Sequence, residues 1–222
     1  MYRIDELMDL SHTLAKDYFS KFTYPWETLP GIGAMIIELG NSLDPNEYDQ
    51  PQPNVWVHKT AQVYPTAWLT APCIIGARTE VRHCAFIRGN ALVGEDCVVG
   101  NSVEVKNSVL FDGVQVPHYN YVGDSILGYK AHMGAGSITS NVKADKSMVV
   151  IHGDTEIPTG IKKVGALMGD YVEIGCNSVL NPGTVIGRNS SVYPVCCVRG
   201  VIPENSIYKT NGDIVKKEHH HG

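Results

Sequence analysis

A six-residue apolar period runs through most of this chain and leaves few folds open to it. Reading every sixth residue from Val57 gives Val57, Val63, Leu69, Ile75, Val81, Ile87, Val93, Val99, Val105 and Phe111. With about 40% apolar residues in an average chain, ten such positions in one fixed phase arise by chance on the order of once in 10⁴. A second series runs Met168, Ile174, Leu180, Ile186, Val192, Val198, and a short third one, Leu127, Met133, Thr139, lies between them. Glycine follows the apolar residue at 76, 94, 100, 128, 134, 169, 175 and 187. Two residues before it stands a small or β-branched residue: Cys73, Thr79, Ala85, Ala91, Cys97 and Val103, then Val172, Ser178, Thr184, Ser190 and Cys196. Each hexad therefore makes one short strand and one corner, and three hexads make a coil of a narrow prism. The large side chain points to the axis, the small one fits beside the corner, and glycine relieves the turn. Coils stack through parallel strand hydrogen bonds about 4.8 Å apart. An antiparallel sandwich would need a period of two without a period of six, so the fold expected is all-β, a parallel β-helix over 55–203.

The remainder departs from the hexad. Ile4, Leu7, Met8, Leu14, Ala15, Tyr18 and Phe22 fit helical spacing and predict a helix near 3–21, broken by Tyr24-Pro25-Trp26. A second helix is expected from about Pro30 to Leu39, stopped by Gly40-Asn41. Residues 1–54 thus form a helical segment, with a linker rich in Pro, Asn and Asp at 44–54, packed on a prism face or on a partner subunit. The phase slips between Phe111 and Val122, around Pro117, and an insertion of about 142–164 carries Lys143, Lys146, Lys162 and Lys163. Loops leaving a rigid scaffold are where sites are built. Residues 204–222 read as a hairpin turning at Asn211-Gly212, or a tail.

Composition excludes several classes. The net charge is −5, with no basic run in the body, against a nucleic-acid or anionic-membrane surface. No apolar stretch is long enough to span a bilayer and no signal-peptide core opens the chain, so a cytoplasmic protein is expected. The six cysteines form no C-x-x-C motif, and reduced thiols are expected. The terminal His219-His220-His221-Gly222 run is left out of metal arguments.

The most informative stretch is Val116-Pro117-His118-Tyr119-Asn120-Tyr121-Val122-Gly123-Asp124. It follows Gly100-Asn101-Ser102-Val103-Glu104-Val105-Lys106 and precedes Met133-Gly134-Ala135-Gly136-Ser137-Ile138-Thr139-Ser140-Asn141. In this order the three runs resemble the acetyltransferase domain of the GlmU-type bifunctional enzymes: G-N-x-V-E-x-K, then H-x-x-Y-x-G-D, then G-A-G-T-I-T-x-N. They are closer still to the archaeal sugar-1-phosphate nucleotidylyltransferase/acetyltransferases, which share Y-V-G-D-S-I-x-G. The resemblance covers about residues 75–203. It implies the left hand for the β-helix, acetyl-CoA as co-substrate with no metal required, a small-molecule sugar phosphate as partner, and self-association as a homotrimer. With about 50 residues before the coils, the nucleotidylyltransferase half is expected to be missing.

Residue by residue, the resemblance makes His118 the base that deprotonates an amine, a role suited to imidazole near neutral pH. Glu104 would orient it, and the backbone N–H of Ala135 would stabilise the oxyanion. Arg88 and Lys106, one coil apart, match the cations for a sugar phosphate. Tyr121, His132, Asn141 and Lys146 fall at substrate-binding positions, and Cys176 and Pro194 in the acetyl-CoA groove. His132 stands where the bacterial family has Asn, Val142 replaces an aromatic, and Lys146 is one residue out of alignment. The activity implied is N-acetylation of an amino-sugar 1-phosphate, glucosamine 1-phosphate or galactosamine 1-phosphate. Two other classes share the fold: a γ-carbonic-anhydrase-like metal hydratase and a non-catalytic trimeric scaffold. For the hydratase, His83 and His118 have a suitable spacing, but the third ligand position holds Gly123.

Overall fold

In the computed structural model, which describes residues 1–218, the hexads wind into a left-handed parallel β-helix with three flat faces. Coil 1 runs Val55–His58 on face 1, Gln62–Val63 on face 2 and Trp68–Leu69 on face 3. Coils 2 to 8 open with Cys73–Ile75, Ala91–Val93, Ser108–Leu110, Ile126–Leu127, Ala166–Met168, Thr184–Ile186 and Val201–Ile202 on face 1. Every stacked pair of strands is parallel. Parallel pairing follows from the geometry, since each coil returns in the same direction one layer higher. The core is the column of inward hexad residues, almost all fully buried. Small residues at the corners also close hydrogen bonds. Thr79 Oγ1, for example, donates to the Gly94 carbonyl at 2.7 Å and accepts from Cys97 N–H at 2.9 Å. All six cysteines are free. Burial pushes the Cys73 and Cys97 thiols up to about 12, so these two are inert core groups.

The single phase slip expected between Phe111 and Val122 is in fact two one-residue slips placed elsewhere. Coils 1 to 3 repeat every 18 residues, as in Val55↔Cys73 and Cys73↔Ala91. From there the partners are 17 apart: Val93↔Leu110, Val99↔Val116, Val105↔Val122, then Leu110↔Leu127. The missing residues come from two short corners between faces 3 and 1, turning at Asn107 (φ 46°) and Asp124 (φ 48°). Both residue types tolerate this left-handed conformation. The slip is thus not at Pro117, which continues face 2 in Gln115–His118. Leu110, not Phe111, takes the hexad core position above Val93. Phe111 instead turns outward and meets Phe19 edge-on, ring centroids 5.5 Å apart.

Face 1 is apolar outside as well as inside. Its outward row, Trp56, Ile74, Leu92, Val109, Ile126, Leu167 and Val185, is buried throughout. Strands buried on both sides read as continuous apolar runs, and the N-terminal segment covers them. Helix Ile32–Asn41 crosses strands Cys73–Ile75 and Ala91–Val93. The helix expected near 3–21 is broken into Ile4–Leu7, the 3₁₀ turn Leu10–His12, and Lys16–Phe19. Between these short turns the backbone also bonds to the solenoid. Asp170 N–H donates to Leu7 O at 3.2 Å, Asp9 N–H to the Asp170 carboxylate at 2.8 Å, and Asp112 N–H to His12 O at 3.0 Å.

The ends and the insertion complete the molecule. Tyr48–Gln52, in the linker, pairs antiparallel with Val55–His58 beneath face 1. Ser206–Tyr208 pairs antiparallel with Ile214–Lys216, and Gly212 (φ +88°) lies in the connecting turn. Between coils 5 and 6 the insertion makes a hairpin, Val150–His152 with Glu156–Pro158. It folds back on the corner of the prism, burying Val149 and Ile151 over Gly183. The chain leaves and rejoins in step, since Thr139 stacks under Leu180.

Candidate active site

One edge of the prism, between faces 2 and 3, carries a single column of corner residues. The ladder stacks Asn101 on His83, His118 on Asn101, Ala135 on His118, Cys176 on Ala135 and Pro194 on Cys176. Each step is made by the next residue's N–H donating to the carbonyl below: Ser102 to His83 (3.3 Å), Tyr119 to Asn101 (3.0 Å), Gly136 to His118 (3.0 Å), Asn177 to Ala135 (2.8 Å) and Val195 to Cys176 (2.9 Å). His118, Ala135, Cys176 and Pro194 therefore stand on successive coils about 4.8 Å apart. The imidazole of His118 and the side chains of Cys176 and Pro194 are exposed along this edge. The 40 residues between Ala135 and Cys176 conceal this neighbourhood in the linear sequence.

A residue absent from the expected set locks two of these corners together. Asn120 is 2% exposed and fills the small-residue position of its hexad. Its Oδ1 accepts from His118 N–H at 3.1 Å, and its Nδ2 donates to Gly134 O at 2.9 Å and Ser137 O at 3.1 Å. It thereby sets the backbone of His118 against the loop that presents Ala135. The available signal was an amide where neighbouring hexads carry Ala85 or Val103.

Around the edge, on face 3, Arg88, Glu104, Lys106 and Tyr121 lie on coils 2 to 4. Lys106 stacks over Arg88 and Tyr121 over Glu104. Arg88 donates from one guanidinium nitrogen to Glu104 Oε1 at 2.8 Å. The carboxylate expected to orient His118 is thus given to Arg88, which is nearer along the same face. Lys106 Nζ lies 3.1 Å from Asp124 Oδ2. Asn141 Nδ2 donates to the same oxygen and, at 3.3 Å, to the Tyr121 hydroxyl. The tyrosine ring lies over Gly123, where any Cβ would strike it, which accounts for the glycine two residues on. Asp124, also absent from the expected set, is 4% exposed and is the hub of this cluster.

Two expected residues lie elsewhere. His132 is on face 2, where Nδ1 is 2.7 Å from Glu173 Oε2. Tyr121 belongs to the strand on face 3, so His132 looks out from a different face of the prism. Lys146 is exposed in the turn that opens the insertion, its N–H donating to Lys143 O at 2.9 Å. His83 and His118 share the column but stand two coils apart with Asn101 between them, and Gly123 is on face 3. Among the described residues, no cluster of three or more His, Cys, Asp or Glu is placed to hold a metal. No described helix is long and apolar enough to cross a membrane.

The arrangement offers an exposed imidazole, a backbone loop one layer above it, an open edge continuing upward, and a polar cluster with two cations alongside. Comparison with known proteins gives this set a context. The family described as the GMPPB C-terminal domain matches residues 69–163. The bifunctional protein GlmU of Methanococcus maripaludis strain C5 is 35% identical over 135 residues, 60% of this chain and 33% of that protein. The GlmU of M. maripaludis strain S2 is 28% identical over 208 residues, 91% of this chain and 50% of that protein. A bifunctional sugar-1-phosphate nucleotidylyltransferase/acetyltransferase of Sulfurisphaera tokodaii is 32% identical over 126 residues, 56% of this chain and 31% of that protein. The chain spans half or less of the length of these relatives. It is a hexapeptide-repeat β-helix that resembles the GlmU-type bifunctional proteins along nine-tenths of its own length.

Proposed function

We propose that this chain is an acetyl-CoA-dependent N-acetyltransferase acting on an amino-sugar 1-phosphate, either glucosamine 1-phosphate or galactosamine 1-phosphate. The observation that carries the reading is the edge column, which sets His118 one layer below the Ala135 loop and leaves a track along Cys176 and Pro194 for the acyl donor. The face-3 cluster, with Arg88, Lys106, Tyr121 and Asn141, would receive the sugar phosphate. A relative's name supports the reaction class: the S. tokodaii protein is a bifunctional sugar-1-phosphate nucleotidylyltransferase/acetyltransferase.

In this reading the amine of the sugar attacks the thioester carbonyl carbon of acetyl-CoA while His118 takes its proton. The carbonyl oxygen becomes an oxyanion beside the Ala135 N–H, a fixed dipole that needs no reorganisation. Collapse breaks the C–S bond, and the CoA thiolate leaves with the proton that His118 returns. A homotrimer is part of the proposal, because a column on a convex edge offers one wall of a groove and a second copy would supply the other.

Thiol release from acetyl-CoA, followed with glucosamine 1-phosphate and with galactosamine 1-phosphate, tests this directly. Release that depends on one of the two sugars is expected, and His118→Ala should lower kcat by about 10² or more. No release with either sugar would reject the reading.

A further inference from the structure

A charged carboxylate is costly to bury, and this molecule buries one at a corner where a neutral side chain would serve the backbone equally well. The corner one coil below Asp124 turns at Asn107, and the one below that at Asn90, both left-handed. Asparagine adopts that conformation as readily as aspartate. The charge at Asp124 therefore answers to its partners. These come from the coils on either side of its own: Lys106 Nζ at 3.1 Å and the Asn141 amide on Oδ2, and Asn107 Nδ2 at 2.9 Å on Oδ1. Asn107 Nδ2 also lies 3.4 Å from Leu29 O in the N-terminal segment. Backbone bonds hold the corner itself, Asp124 N–H to Lys106 O at 3.0 Å and Gly165 N–H to Asp124 O at 2.7 Å.

We infer that Asp124 is a positioning residue for the acceptor subsite. It holds the Lys106 ammonium and the Asn141 amide at fixed points behind Tyr121, and Asn107 ties that frame to the helical segment over face 1. Identifying the ligand as a sugar phosphate rests on the function proposed above; the frame itself does not. Lys106 is a long side chain with many rotamers, and its own exposure is only 21% because it lies along the surface to reach Asp124. Asn141 spans two acceptors, so its orientation is set by Asp124 and Tyr121 together. Without the carboxylate, a substrate phosphate would have to order both groups as it binds, which weakens binding without touching the reacting atoms.

Asp124→Asn is the test. The amide is nearly isosteric and suits φ 48°, yet it turns one acceptor into a donor among three donors. The KM for the amino-sugar 1-phosphate is expected to rise on the order of tenfold, with kcat within about threefold and the KM for acetyl-CoA unchanged. Asn107→Gly, which keeps the left-handed turn and removes the tie, is expected to raise the same KM by a smaller factor. A second readout does not depend on turnover. Labelling of Lys106 by an amine-reactive ester, quantified against Lys130 by peptide mass spectrometry, should accelerate severalfold in Asp124→Asn. If wild-type protein releases no thiol, the functional reading fails while the labelling still decides the role of Asp124. Unchanged Lys106 labelling, or an unchanged sugar-phosphate KM in an active enzyme, would overturn the proposal. A parallel fall of kcat with both KM values held would do the same, by assigning Asp124 a purely structural role.

Discussion

Asp170, far from the candidate site, shows how single residues join the helical segment to the solenoid. It is 3% exposed, and its two oxygens accept from Tyr129 N–H and Asp9 N–H, each at 2.8 Å. Arg188 Nε lies 3.3 Å away, but its N–H is not aimed at the carboxylate and makes no hydrogen bond. Burial outweighs these partners and raises the Asp170 carboxyl above the usual carboxylate range. A raised value means that the folded protein holds this proton more tightly than the unfolded chain. The associated stability is complete below the ordinary Asp value near 4 and is lost as pH rises through the folded value. Asp170→Asn is expected to be less stable than wild type, through a donor placed against Asp9 or Tyr129. Because the variant lacks the titration, the urea-unfolding gap between the two proteins should widen from pH 7 to about pH 4.5. A constant gap would mean that Asp170 keeps its charge throughout. At this scale the order of the motifs singled out His118, Glu104 and Lys106, but not the pairing of Glu104 with Arg88. Asn120 and Asp124 were not singled out, because their importance lies in hydrogen-bond partners 14 to 18 residues away that only the stacking brings near. Phe111 was misread for a related reason. One residue removed at Asn107 shifts Leu110 into its place, and an apolar side chain in either position satisfies the period.

Strands were the most legible elements, since a two- or three-residue strand with one inward side chain is all a hexad encodes. Helices were the least. Local spacing between Ile4 and Phe22 matches a continuous helix, yet the backbone at Leu7, Asp9 and His12 finds its partners on the solenoid and the helix stops. The insertion was visible as a gap in the period, but not its course. Its hairpin sets Ile151 fully buried near Gly183 and runs along the next coils rather than into solvent. Truncating a buried isoleucine costs about 2–5 kcal/mol, so Ile151→Ala should lower the urea midpoint by an amount in that range once multiplied by the slope. A loss below about 0.5 kcal/mol, the usual size for surface substitutions, would mean that the hairpin does not pack as described.

Across the whole molecule, the three faces have different outward surfaces. Face 1 is sealed by the N-terminal segment, while faces 2 and 3 alternate polar and apolar side chains and meet at the edge that bears the candidate site. Each buried Val, Leu or Ile side chain on face 1 is worth about 1.5–3 kcal/mol when kept from water. A chain starting at residue 45 would uncover the row from Trp56 to Val185, a patch large enough to drive association. It is expected to bind a hydrophobic dye and elute as aggregate in gel filtration, whereas a monodisperse product with no dye binding would show that the segment is dispensable to the fold. The helical spacing of residues 1–54 announced a packing segment in the sequence, although it could not distinguish a face of this chain's own prism from a partner subunit. The return of the chain from the insertion in step has one more consequence. Because Thr139 lies directly beneath Leu180, the rise of the column from Ala135 to Cys176 does not depend on how many residues separate them. That junction is a natural port for grafting: a foreign loop or a small folded module could replace the hairpin and leave the spacing of every layer above and below unaltered.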